Sequence, residues 1–228
     1  MKNLHAACVG AALLLAGCAN TDPTKISFPE TSDKALLLIK TERAGVPYVL
    51  QLSSFNEATQ AMEANPFSGF EPFANEDPYV PHYLAILVPA GTYVFQDLIQ
   101  QRAWAVCFNE NSRSFSVHAG DAVFLGDYRP EINLLQLSQL AQQSGQLVAQ
   151  QSSVFHYFEH IVPPQITAPT ATSADFLAAK QYEATSMPSL HGRLQPVVYR
   201  PAKFGTGYTL FGERICGGYF KDKVKPAA

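Results

Sequence analysis

The sequence predicts a mainly β protein: an antiparallel β-sandwich with a few short helices and a C-terminal α+β extension. Three observations carry this expectation. Short apolar or alternating runs recur through the first half of the chain, with turn signals about every 8–12 residues. Charged residues make up only 15% of the chain and hydrophobic ones 47%, which favours a packed body over a disordered tether. The 228 residues are enough for one good core, with room for an appended part.

Lys2 precedes the short apolar run Ala11–Leu15, and Leu15-Ala16-Gly17-Cys18 closes it. That run is too short to span roughly 30 Å of hydrocarbon, which takes about 20 residues. The pattern reads as a signal peptide. Leu-Ala-Gly-Cys resembles the lipobox of bacterial lipoproteins. The resemblance implies that residues 1–17 are removed and that Cys18 becomes the acylated N-terminus. Each buried methylene then contributes about 0.8 kcal/mol, and stable anchoring takes two or more chains. Ala19, where an aspartate would signal retention, implies sorting to the outer membrane.

Residues 18–33 are polar and carry two prolines, so they read as a lipidated N-terminus and tether. The body, 34–135, opens with the apolar run Ala35–Ile39 and the alternating Tyr48–Leu52. A helix is expected over Phe55–Ala64, where Phe55, Ala58 and Met62 share a spacing and Ser54 with Glu57 forms a capping box. Asn65–Pro81 holds four prolines and is expected to be irregular. Its aromatics Phe67, Phe70, Phe73 and Tyr79 either pack down as a lid or form a binding loop. Strands follow at Tyr83–Val88, Thr92–Leu98, Trp104–Phe108, Ser114–His118 and Ala122–Leu125, divided by the Pro89-Ala90-Gly91 and Gly120-Asp121 turns.

The remainder, 136–228, is less regular. Ile132–Gln151 fits a helix or a long hairpin equally. Val154–Val162 reads as a strand, Ile166–Thr172 as a Pro/Thr linker, and Ser173–Ala184 as a helix capped by Ser173. Val197–Tyr199 and Tyr208–Ile215 read as closing strands.

Of four cysteines, Cys8 leaves with the signal and Cys18 is lipidated. Cys107 and Cys216 remain, as a disulfide or as two buried thiols. In an oxidising compartment the bridge is favoured. It would close a loop of about 110 residues and contribute about 4–5 kcal/mol in the chain-entropy model.

The sharpest catalytic candidate is His156-Tyr157-Phe158-Glu159-His160. It matches the H-x-x-E-H spacing of inverted zinc peptidases. On a helix, His156 and His160 would share a face and hold zinc, with Glu159 as base. On a strand they stand about 13 Å apart, too far for one metal. The aromatic surroundings and the following Pro163-Pro164 favour the strand. There is no G-x-S-x-G elbow, and Gly205-Thr206-Gly207 lacks the second half of a phosphate cradle. No basic run points to nucleic acid, and the formal net charge is −3.

Two stretches carry a resemblance. Leu87–Tyr93 contains proline-x-glycine-x-tyrosine, and Phe115–Tyr128 contains Ala119-Gly120-Asp121 and Phe124-Leu125-Gly126-Asp127. Together they resemble uncharacterised proteobacterial envelope lipoproteins with a transthyretin-like β-sandwich module. Arg214–Phe220 adds a C-terminal stretch of the same kind. The resemblance covers roughly residues 35–130 and implies fold and location, with no catalytic residues to carry over.

The expectation is therefore a lipoprotein on the periplasmic side of the outer membrane, with a non-enzymatic binding or scaffolding role. Its partners would be the membrane, through its lipid, and an envelope protein. No cofactor or metal is expected. The alternatives are a zinc hydrolase at His156, Glu159 and His160, and a carrier of a hydrophobic ligand.

Overall fold

The computed structural model describes residues 23–41, 46–70, 82–100, 104–109, 111–145, 156–158, 162–204, 207–209, 212–214 and 216. In chain order these form β1 (Lys34–Thr41), β2 (Tyr48–Asn56), β3 (Ala61–Phe70), β4 (His82–Pro89), β5 (Gly91–Gln100), β6 (Trp104–Cys107), β7 (Ser112–Val117), β8 (Ala122–Tyr128) and α1 (Glu131–Gln143). Then follow β9 (His156–Phe158), β10 (Ile166–Thr167), α2 (Ala174–Ser186), β11 (Gln195–Pro196), β12 (Arg200–Ala202), β13 (Gly207–Thr209) and β14 (Gly212–Arg214). The protein is mainly β, as the sequence predicts.

Two sheets face each other. The first runs β10-β8-β1-β4, with β11 also on β8. The second runs β12-β7-β5-β2-β3, with β6 beside the far half of β5 and β9 beyond it. Most pairings are antiparallel, while β1 with β8, β11 with β8 and β6 with β9 run parallel. β4 and β5 lie in different sheets, so Pro89-Ala90-Gly91 is the corner between them. Tyr93 pins that corner by donating its hydroxyl to the Pro89 carbonyl at 2.8 Å.

Apolar side chains sort into three layers. Ala35, Leu37 and Ile39 of β1 meet Leu50, Leu52, Phe95 and Phe115 between the sheets. Leu36 and Leu38 point the other way, under Phe176 and Ala179 of α2. β1 is apolar from Ala35 to Ile39 because both of its faces are covered there. The third layer backs the second sheet, where Phe55, Met62, Val94 and Phe204 surround Cys107 and Cys216.

Several local expectations are corrected. Phe55–Ala64 is not a helix: β2 and β3 form a hairpin across residues 57–60. Phe55 stands opposite Met62 in that hairpin, so a spacing that suits one helix face also suits a cross-strand pair. Asn56 makes the turn, its side-chain oxygen accepting from the amides of Ala58 and Thr59 at 3.0 and 3.1 Å. Regular structure also runs through Pro66, contrary to expectation. β3 is the last strand of its sheet, and an edge tolerates a residue without an N–H.

Residues 23–33 do not behave as tether. Pro23, Ile26 and Phe28 are buried, the last two in the layer beneath α2. Of the helix-or-hairpin segment, Glu131–Gln143 is helix, with Leu134 and Leu137 entering the inter-sheet core. Ile166–Thr167 is no linker, since it pairs with Tyr128 and Asp127. Val197–Tyr199 crosses between the sheets without being a strand, turning Val197 and Tyr199 inward and leaving Val198 76% exposed. Strands from beyond residue 135 therefore enter both sheets and complete the sandwich. The expected last strand is instead the short pair β13–β14.

Candidate functional site

Among the described residues, Lys40, Asp127, Arg129 and Asp175 form a charged cluster where the first sheet meets α2, and a backbone irregularity builds it. Leu38 faces Phe124, but Lys40 faces Asp127, so β8 holds one extra residue over that interval. This is a β-bulge. Gly126 carries it at φ +112°, and a Cβ there would lie 2.2 Å from the Thr167 carbonyl oxygen. The bulge resets the alternation of β8. Val123 and Leu125 face the inter-sheet core, and Tyr128 returns to it. Asp127 turns instead toward α2.

Lys40 meets it there. Its ammonium donates to Asp127 Oδ2 at 2.9 Å and to Asp175 Oδ1, on the first turn of α2, at 3.5 Å. Arg129 stands 3.6 Å from the same Asp127 oxygen. Tyr83 is opposite Lys40 in β4 and stacks on Tyr182 of α2, ring centroids 4.2 Å apart. Asp127 is fully buried, and a buried carboxylate is tolerated only when paired.

Burial alone would lower the Lys40 pKa. The hydrogen bond that Lys40 donates to Asp127 and the charges of Asp127 and Asp175 outweigh it, so the ammonium sits above its ordinary 10.5. Burial raises Tyr83 above 10.0; Lys40 opposes this and the two carboxylates reinforce it. At neutral pH both groups keep their protons, so neither is a ready nucleophile or base. The arrangement is chemically suited to clasping β1, β8 and α2 together.

A second junction fastens the N-terminal segment. Arg193 donates from Nη2 to the carbonyls of Phe28 (2.7 Å) and Ser189 (3.4 Å), from Nη1 to Gly120 (3.2 Å), and from Nε to Leu190 (3.0 Å). Its guanidinium also lies 5.2 Å from the centre of the Phe28 ring. Gly120, at φ +83°, forms the adjoining turn, and Asp121 accepts from the His118 amide at 2.7 Å.

The residues singled out in the sequence are scattered. Cys107 and Cys216 form a disulfide, with Cα atoms 5.4 Å apart. Both are buried, and Gln96 Nε2 donates to the Cys216 carbonyl at 2.8 Å. Phe67 and Phe70 lie on β3, while Phe73 and Tyr79 fall outside the described residues. His156 begins β9, paired with Trp104; Glu159, His160 and Cys18 fall outside the described residues. An extended backbone at 156–158 differs from the helical turn that H-x-x-E-H zinc chemistry requires. Among the described residues, no group of three or more His, Cys, Asp or Glu is placed to hold a metal.

Sequence reasoning missed Lys40, Asp127 and Arg193 as junctions. The one available signal was the repeated Gly-Asp of residues 120–121 and 126–127. Each glycine has positive φ; Asp121 accepts from the His118 amide across its turn, and Asp127 accepts from Lys40 of the neighbouring strand.

The chain matches no protein-family model, no curated protein and no solved structure.

Proposed function

We propose that the protein is an outer-membrane lipoprotein facing the periplasm, with a non-enzymatic binding or scaffolding role in the cell envelope. The observation that carries the reading is Leu15-Ala16-Gly17-Cys18 after a short apolar segment. The Cys107–Cys216 disulfide supports it, because such bonds persist in oxidising compartments. The resemblance to transthyretin-like envelope modules agrees with a mainly β body. The clasping chemistry of Lys40 with Asp127 suits a binding body better than a catalyst.

The test is metabolic labelling with palmitate in a bacterial host, followed by membrane fractionation. Label and outer-membrane recovery are expected for the native chain, and Cys18→Ser is expected to abolish both. Unchanged label in Cys18→Ser overturns the reading. Crosslinking in intact cells then identifies the envelope protein that the anchored body touches.

A further inference from the structure

The side of the body that meets the membrane can be read from the length of the leash and the chemistry of one helix. This inference rests on lipidation at Cys18. Only residues 19–22 separate Cys18 from Pro23, and Pro23 is already buried against the body. Five residue steps of fully extended chain reach at most about 17 Å. The helix layer and the two sheets behind it are together roughly 25–30 Å deep. If the outer face of the second sheet touched the bilayer, Pro23 would stand farther away than the leash allows.

The 23–28 segment shares its apolar layer with α2: Ile26 and Phe28 pack among Phe176, Ala179, Met187 and Leu190. Ser189 donates to the Ile26 carbonyl at 3.2 Å. The α2 surface beside the 23–28 segment carries an unusual composition. Its exposed residues are Ala174, Leu177, Ala178, Gln181, Ala184 and Thr185, with Leu177 57% exposed. All three charged residues of the helix are engaged by the body. Asp175 accepts from Lys40 at 3.5 Å. Lys180 bonds the Gly192 carbonyl at 2.6 Å and Glu183 at 2.7 Å. Glu183 accepts from the Leu194 amide at 3.0 Å. A helix face turned to water ordinarily carries charge.

We propose that this uncharged face of α2, with the adjoining Pro23–Lys25 turn, rests on the bilayer that holds Cys18, leaving the outer face of the second sheet toward the periplasm.

The experiment uses the mature lipidated protein in vesicles of phosphatidylethanolamine and phosphatidylglycerol containing a headgroup spin-label quencher. A fluorophore is placed at Leu177→Cys or at Ala58→Cys, the latter in the exposed β2–β3 turn. The native disulfide leaves Cys107 and Cys216 unreactive. Quenching several-fold stronger at position 177 than at 58 supports the proposal. Equal quenching, or stronger quenching at 58, overturns it. Flotation separates the two failures: protein that does not float with vesicles removes the lipidation reading as well, whereas protein that floats without asymmetry removes only the orientation. An unquenched reporter at 177 that crosslinks to one protein in cells assigns the face to that partner and overturns the bilayer proposal.

Discussion

Lys40 and Asp127 are 87 residues apart, yet the β1 ammonium donates to the buried carboxylate of β8 at 2.9 Å. That contact exists because the bulge at Gly126 turns Asp127 away from the inter-sheet core. Removing Lys40 by Lys40→Met leaves a buried charge without its main partner. A loss of about 3–5 kcal/mol is expected in urea unfolding. The double variant Lys40→Met with Asp127→Leu is expected to recover most of it. A double variant no more stable than Lys40→Met would show that the pair is not what couples these strands.

Gly126→Ala tests the bulge itself. The backbone is in the glycine region, and the new methyl would meet the Thr167 carbonyl. A loss of about 3 kcal/mol is expected, lowering Tm by roughly 6–12 °C for a chain of this size. By contrast, Gly145→Ala, also at positive φ but with no atom within 4 Å, is expected to cost only about 1 kcal/mol. Equal effects at the two sites would rule out steric contact as the cause.

Alkaline pH is expected to unfold the protein steeply. Burial holds Tyr128 and Tyr199 well above their ordinary 10.0, and Asp127 helps hold Lys40 above 10.5. The sign follows from proton counts. Above about pH 10 the unfolded chain loses these protons while the folded one keeps them, so stability falls as pH rises. The contribution is whole below pH 10 and disappears as pH climbs through the folded values. Tyrosinate absorbance from the last tyrosines should therefore appear together with loss of far-ultraviolet circular dichroism. Complete tyrosine ionisation in a still-folded protein would contradict this.

The Arg193 side chain donates to four carbonyl groups; its truncation removes the bonds to Phe28, Ser189 and Gly120, while the Leu190 carbonyl keeps the Arg193 backbone amide at 3.0 Å. Arg193→Ala is expected to raise hydrogen exchange across residues 26–32 much more than in the sandwich strands. Arg193→Lys should rescue little, because a point charge cannot reproduce the guanidinium fork. Unchanged exchange in Arg193→Ala would mean that Phe28 alone docks the segment.

The native, unreduced protein is expected to show no free thiol from Cys107 or Cys216. Replacing both with serine should cost about 4–5 kcal/mol, because the bridge closes a span of 109 residues.

Much of the fold was legible because it is written in short-range pattern. Period-two alternation and the turns at Pro89–Gly91 and Gly120-Asp121 marked strands. Ser173 announced the start of α2 and does accept from the Phe176 amide. Cys107 and Cys216, for which a bridge is the favoured reading, are indeed paired. Where the sequence misled, the local pattern had two solutions. Phe55 and Met62 fit one helix face or one hairpin, and the choice fell to β5, which pairs with β2. Four prolines forbid a central strand, but the edge position of β3 is a property of the whole sheet. The segment before Asp33 looked like tether because its few apolar residues have no period. Phe28 is buried only because Arg193 and α2, far along the chain, roof it over. The same holds for the site. Lys40, Asp127 and Asp175 are unremarkable singly, and tertiary pairing plus one glycine-borne bulge brings their charges together. Short-range physics acts between neighbours in sequence and can be read there; burial and charge pairing act between neighbours in space, which only the folded chain supplies.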